Sequence, residues 1–380
     1  MLERAIKILT SMRLTVVCLG FAVVLVFIGT LAQVDEGLYQ AQVRYFKSWL
    51  IVRPLNLPIV FPGGYLLGTV LMVNLLAAHA ARFQLTRKKA GLFLIHIGVI
   101  LLLLGQLLTD VLSRESAMRL VEGRSKNYSE SFQDNELALI DTSDPQSDSV
   151  ISIPQTVLLR QKEIRVPQTP FTLRVKTNWA NCMLSTTNPG PIAVKADATM
   201  GIGKDGVYVF PMAQTASSED RNVPGSIVEV SAPEGCLGSW LVSPHTDDPQ
   251  SFTYQNKTYQ IAMRFTRYYE PFSIHLVKFS HDKYRGTDIP KNFSSRIRVQ
   301  NPGSGEDREV LIYMNSPLRY KGETFYQGSF DKFDPRVSIL QVVHNPSWLT
   351  PYLSCLLVGL GLVVHFLSHL VKFMKKRKTA

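Results

Sequence analysis

The stretch Gly91-Leu92-Phe93-Leu94-Ile95-His96-Ile97-Gly98-Val99-Ile100-Leu101-Leu102-Leu103-Leu104-Gly105-Gln106-Leu107-Leu108-Thr109 decides the fold. It carries no acid, lysine or arginine, and it is long enough to cross a hydrocarbon core of about 30 Å, which takes roughly 20 apolar residues. In lipid only a helix satisfies its own backbone within one segment, so the run reads as a transmembrane helix in spite of Gly98. Residues 14–32, 63–81 and 349–371 have the same character and give four spans in all. The first reads as a permanent anchor, because it is long for a signal-peptide core and no small-residue cleavage motif follows Ala32.

Lysine and arginine then orient the spans. Arg4, Lys7 and Arg13 precede the first span against Glu3. Arg82, Arg87, Lys88 and Lys89 fill the short loop between the second and third. Lys372, Lys375, Lys376, Arg377 and Lys378 follow the fourth. Alternating spans put all three groups on one side, so both termini are expected in the cytoplasm of a bacterial inner membrane. Those flanks hold 12 basic residues and 1 acid, against 41 basic and 30 acidic in the whole chain, so the remainder is balanced at 29 of each. The net charge of +11 is therefore topological. A nucleic-acid face would need that excess on the water-soluble part, which excludes nucleic acid as a partner.

The expected organisation is a cytoplasmic N-terminus at 1–13, three transmembrane helices within 14–112, an extracytoplasmic domain at 113–348, a fourth helix at 349–371 and a basic tail at 372–380. Within 14–112, residues 33–62 form an outer loop and 82–90 a basic inner loop. In the outer loop Tyr39, Val43, Phe46, Trp49 and Leu50 recur at helical spacing, which predicts a helix lying in the membrane interface or packed on the outer domain. Pro54, Pro58 and Pro62 punctuate the return to the membrane.

Strand-like alternation recurs through 113–348, at 137–140, 150–154, 163–166, 171–175, 206–210, 227–230, 258–265, 273–279, 295–299, 309–314, 324–330 and 337–343. Turn chemistry separates these runs, including Asp144-Pro145, Asn188-Pro189-Gly190, Asn301-Pro302-Gly303 and Lys321-Gly322. Many short strands without long intervening helices predict antiparallel sheets. The fold class is thus a membrane bundle of four transmembrane helices plus a large, mainly antiparallel, sandwich-like β domain outside the cytoplasm.

Cysteine chemistry is sparse. Cys18 and Cys355 fall in spans, where they read as packing residues. Cys182 and Cys236 fall in the outer domain, where an oxidising compartment permits a disulfide, and spacing leaves open whether one forms. With no Cys-x-x-Cys in the chain, a thiol–disulfide oxidoreductase of the usual kind is disfavoured. No His-Glu-x-x-His or clustered metal spacing occurs either.

Histidine is more informative. Of the eight, His79, His96, His365 and His369 lie in or at the edge of spans. An imidazole at membrane depth is costly and normally faces the bundle interior or a ligand. His96 stands five residues past Gly91, roughly 8 Å deep at about 1.5 Å per residue. His79, His96 and His365 occupy the inner half of the membrane, and imidazoles facing one another there suit axial ligation of a haem iron within apolar walls. His369 reads as an interfacial residue. His245, His275, His281 and His344, set among polar neighbours, read as ordinary surface or strand residues.

Several segments resemble the ResB/CcsB-like cytochrome c biogenesis proteins. They are Ser11-Met12-Arg13-Leu14-Thr15 leading to Ile28-Gly29-Thr30; 91–98 followed by the leucine run and Gly105; Ile289-Pro290-Lys291-Asn292-Phe293-Ser294-Ser295; and, most specifically, Tyr313-Met314-Asn315-Ser316-Pro317-Leu318-Arg319-Tyr320 with Gly322 and Thr324-Phe325-Tyr326-Gln327. Asn345-Pro346-Ser347-Trp348 before the last span adds to it. Residues 130–250 carry no such likeness.

The resemblance implies one half of a system II haem lyase, working with a CcsA/ResC-like partner that carries a tryptophan-rich haem motif. Here Trp49, Trp179, Trp240 and Trp348 are scattered, so the chain is not expected to be an enzyme by itself. Haem b would be moved across the membrane and presented to apocytochrome c, with thiol-reducing proteins as further partners. His96 matches the family's transmembrane haem histidine and would supply one axial ligand to the iron. The second would come from the partner, or within the chain from His365 or His79. The opposing class is a membrane-anchored scaffold or sensor whose β domain binds a protein and whose histidines only pack. A transporter for another solute would want discontinuous or charge-lined spans, which these are not.

Overall fold

In the computed structural model the first span does not begin at the chain terminus. A short helix α1 (Leu2–Leu9) stops at Thr10, and α2 (Met12–Glu36) starts again behind Ser11, an N-cap with extended backbone whose side-chain Oγ accepts the Arg13 N–H. The helix runs four residues beyond the expected Ala32 and ends at Gly37 (φ 79°), whose N–H bonds to Gln33 O. The structure describes residues 2–54, 58–82, 86, 89–188, 190–214, 221–246, 248–283, 285–286, 290–331 and 333–378. Arg87, Lys88, Pro189 and Ile289, each part of a motif above, lie outside the described residues.

The described residues divide into two compact units. One comprises 2–114 and 344–378 and holds the helices; the other comprises 115–214 and 221–343 and holds the sheets.

In the helical unit α2 leads to one turn of α3 (Leu38–Ala41) and a π-helical turn at Gln42–Phe46. An antiparallel pair, β1 (Leu50–Val52) and β2 (Val60–Pro62), follows. The expected loop helix therefore ends at Phe46, and Leu50 is extended. Register explains the difference: the residue driven fully inside is Tyr45, which packs with Leu25, Ala32, Ala41, Ile51, Phe61 and Leu67, while Trp49 and Leu50 stay exposed. The loop thus packs back onto the spans. The remaining long helices are α4 (Gly64–Arg82), α5 (Ala90–Leu112) and, at the end of the chain, α7 (Thr350–Lys378). Together with α2 they are the four helices long and apolar enough to cross a membrane, and they expose large apolar side chains such as Val23, Phe27, Leu107, Leu356 and Phe366. This is a membrane protein.

Glycine brings α5 and α7 together. Gly91, Gly98 and Gly105 repeat every seven residues on one face of α5 and are its buried positions. A Cβ on Gly98 would stand 2.7 Å from Val358 Cγ2 and 2.9 Å from Ser354 O, so only hydrogen permits this approach. Gly361 returns the contact, its Cβ position lying 2.7 Å from Gly91 O.

The second unit begins with β3 (Arg114–Val121), β4 (Ser125–Asp141), β5 (Ser149–Pro154), helix α6 (Gln155–Arg160), β6 (Glu163–Arg165), β7 (Thr172–Trp179), β8 (Cys182–Ser185), β9 (Val194–Lys195) and β10 (Tyr208–Pro211). It continues with β11 (Gly225–Ala232), β12 (Gly235–Val242), β13 (Gln250–Tyr254), β14 (Lys257–Lys283), β15 (Pro290–Asn301), β16 (Glu306–Tyr313), β17 (Leu318–Tyr320), β18 (Glu323–Phe330) and β19 (Val337–His344). A ten-stranded sheet runs β16-β15-β14-β4-β3-β19-β18-β17, with β13 added to β14 and β5 to β4. A four-stranded sheet orders β12-β11-β7-β6, and a three-stranded one β8-β10-β9. The pairings of β4, β7, β11, β14 and β15 with β5, β6, β12, β13 and β16 and with one another are antiparallel, as expected, and one isolated bridge, Met200–Trp240, is parallel.

Two larger cores divide this unit, and a smaller one around Cys182, Ala196, Val209, Ile227 and Leu241 joins the three-stranded sheet to the four-stranded one. Leu137, Leu139, Ile261 and Met263 of the large sheet meet Leu173, Val228, Val230 and Trp240 of the four-stranded sheet, which is a sandwich. Met118, Leu120, Ile274, Leu276, Ile297, Val299, Phe325 and Leu340 form a second core within the curl of the large sheet itself. The long strand β14 belongs to both, and β4 to the first. The runs at 258–265 and 273–279 are accordingly one strand, not two. Their ladder breaks at Glu270-Pro271, where a proline has no N–H to give, and pairing resumes at Ile274 after Tyr269.

Candidate functional site

Helices α4 and α5 lie antiparallel. Tyr65 near the start of α4 hydrogen-bonds Asp110 near the end of α5, and His79 near the end of α4 meets His96 near the start of α5. The His79 and His96 ring centroids are 4.8 Å apart and edge-to-face at 76°, and Phe93 stands 6.2 Å from His79. Both histidines are half-buried among apolar neighbours. His96 Nδ1 is fully shielded and has no hydrogen-bond partner among the described residues. A shielded ring nitrogen without a partner is costly in a native protein, and it marks an atom available to a ligand.

His365 goes elsewhere. Its backbone lies against Gly91, while its ring meets His369 at 4.6 Å and Phe366 at 5.9 Å. It therefore stands at the level of Gly91, five residues or about 8 Å from His96 along α5 at about 1.5 Å per residue. Of the sequence-selected residues, the structure joins His79 with His96 and His365 with His369, which is exposed.

Among the described residues no group of three or more His, Cys, Asp or Glu side chains could hold a metal ion. Cys182 and Cys236 are both free, which closes the question of a bridge between them. Cys182 is buried in β8, where desolvation pushes its thiol up to about 11, and Cys236 is exposed in β12. The domain histidines have local roles. His245 Nε2 lies 2.8 Å from Cys182 O, His275 Nδ1 lies 3.0 Å from Ser125 Oγ, and His281 is packed between Phe293 and Phe330 at 5.0 and 4.3 Å.

Polar groups in the spans that the sequence reading passed over have structural partners. Buried Asn74 of α4 donates to Leu9 O (2.5 Å) and Ser11 O (3.2 Å), and accepts from Thr15 Oγ1 (2.6 Å). One amide thus satisfies the carbonyls freed where α1 breaks into α2. At the opposite end of α4, Asp110 takes Lys47 Nζ at 2.5 Å as well as Tyr65, and Glu36 takes Arg44 at 2.6 Å. The signal for each was an isolated polar residue within or beside an apolar run.

Residues 238–336, from β12 to beyond β18, match the model of the ResB-like family. That stretch includes the 313–327 motif, whose backbone explains its residue choice: Asn315 (φ 64°) and Gly322 (φ 89°) occupy left-handed turns. It does not include the histidine pair. The chain is also 26% identical over 311 residues to Protein NrfI of Wolinella succinogenes, an alignment covering 80% of this chain and 30% of that protein. The chain thus spans less than a third of the length of that relative. From the strand-unit motif outward, the chain is similar to the ResB-like family over residues 238–336 and to NrfI over most of its length.

Proposed function

We propose that the chain is a subunit of a system II cytochrome c assembly machine that takes haem as cargo within the membrane and helps present it to apocytochrome c. The observation that carries this reading is the contact of His79 with His96 inside the bundle, with His96 Nδ1 shielded and unpaired among the described residues. Two imidazoles in an apolar setting cannot by themselves complete a metal site, but a porphyrin brings its own equatorial nitrogens and needs only axial ligands. The donor set therefore fits haem.

The rings stand too close for a macrocycle to lie between them. Metal–nitrogen bonds of about 2 Å on opposite faces of one iron would hold the ring centroids near 6 Å or more. His96 accordingly supplies one ligand, and His79 packs against it and fixes its orientation. The second axial ligand is assigned to a CcsA/ResC-like partner, since His365 is turned to His369. The apolar walls exclude water and, with the imidazole, favour a defined iron potential. The strand unit, placed outside the cytoplasm by the lysine and arginine pattern, contributes binding and orientation.

Co-expression with a CcsA/ResC-like partner and an apocytochrome bearing Cys-x-x-Cys-His tests this. His96→Ala is expected to lower covalently attached haem about tenfold or more at equal membrane levels of the protein, the scale of losing a ligand or its orienting neighbour. Undiminished attachment would refute the reading.

A further inference from the structure

The β3–β4 hairpin forms a cleft of about 470 Å³, lined by Arg119, Arg124, Ser125, Lys126 and Tyr128 together with Ser273 of β14. That volume lies within the range of about 300–1,000 Å³ typical of small-molecule sites. Positive charge is concentrated here in a chain otherwise balanced outside its membrane flanks. Lys126 Nζ and Arg267 Cζ each lie 4.3 Å from the centre of the Tyr128 ring, and both turn to one carboxylate, Glu130, at 3.8 and 3.1 Å. Arg119 is paired with Asp331 at 2.7 Å. Arg124 has no ion-pair partner among the described residues.

Two cations, Lys126 and Arg267, thus share one acid, and Arg124 adds a third positive charge to the lining of the cleft. The Lys126 side chain is only 18% exposed. Burial holds its ammonium below the usual lysine range, with Arg267 and Arg119 adding to the effect and Glu130 opposing it. A half-buried cluster with excess positive charge, flanked by hydroxyls and an aromatic face, is complementary to oxyanions.

We propose that this cleft binds the carboxylates of haem, its propionate edge, so that the strand unit grips the cargo by charge. The inference deepens the proposed function and rests on it. Lipid phosphate shares the same chemistry, and the test separates the two.

Purified full-length protein in detergent is titrated by absorbance with iron protoporphyrin IX and with its dimethyl ester, whose carboxylates are blocked. The wild type is expected to bind the free acid about tenfold tighter than the ester, the scale of losing charge-assisted hydrogen bonds. Arg124→Gln should reduce that preference about threefold and Arg124→Gln with Lys126→Gln should abolish it, with affinity for the ester unchanged. Arg298→Gln, at an exposed pair with Glu309 away from the cleft, should leave the preference intact. Since Arg124 is exposed and outside any ion pair among the described residues, its single variant carries the test if the double variant does not fold. Equal binding of acid and ester by the wild type, or a preference that survives Arg124→Gln, overturns the proposal alone. So does loss of the preference when phosphatidylglycerol is added. Binding of neither compound overturns the functional reading and this inference with it.

Discussion

A histidine in an apolar run is visible in sequence because nothing else there is polar, but the residue it meets is not. His96 and His365 read alike, and helix packing separates them: the Gly91 contact sets His365 beside Gly91, and His96 finds His79 on α4. Cysteine spacing left a bridge open for the same reason, since distance in the chain says little of distance in the fold. With Cys182 buried and its thiol held near 11, alkylation at pH 8 is expected to modify Cys236 in the folded protein and spare Cys182, read by peptide mass mapping. Modification of both at equal rates would contradict this. A charge pair joins the two long strands: Arg264 of β14 donates to Glu136 of β4 at 2.8 Å, with the glutamate side chain only 3% exposed. Arg264→Met removes one partner of a buried pair, and a loss of about 3–5 kcal/mol is expected in the unfolding of the purified protein. A change below about 1 kcal/mol would place the pair among the weak surface type.

Among the elements, the spans were legible almost to their ends, because hydrocarbon thickness dictates length and composition together. The exceptions have identifiable causes: the break at Ser11 depends on a cap and on Asn74, and the extension of α2 depends on where Gly37 falls. The outer loop misled because helical spacing persists to Leu50 while the backbone leaves the helix at Phe46. Alternation located most of the major strands yet split β14 at Pro271, since a proline that ends a short strand and one that only interrupts a long ladder look the same in sequence. The glycine face of α5 supplies a direct test. Gly98→Val drives a branched side chain into Ser354 and Val358 and is expected to reduce the yield of folded protein severalfold on size-exclusion chromatography. Gly359→Val, at a position with nothing within 4 Å, is expected to be tolerated. Equal behaviour of the two variants would remove the close helix contact from the account.

For the molecule as a whole, charge arithmetic argues against nucleic acid as a partner, and periodicity separated membrane from sheet. The division of the β unit into a sandwich and a curled sheet was not legible, since both use the same alternation and differ only in which strands pair. The basic cleft was also hidden, because Arg119, Arg124 and Lys126 belong to a charge-balanced domain and converge only at a hairpin. The lysine and arginine pattern predicts the sidedness, so a membrane-impermeant maleimide added to spheroplasts is expected to reach Cys236, and labelling only after lysis would reverse the topology. The central claim is that haem is held in the membrane by His96, and the optical spectrum of the purified chain with its CcsA/ResC-like partner tests it most directly. A Soret band is predicted for the wild type and for His365→Ala and is predicted to be lost in His96→Ala; a band unchanged in His96→Ala, or absent from the wild type, would contradict it.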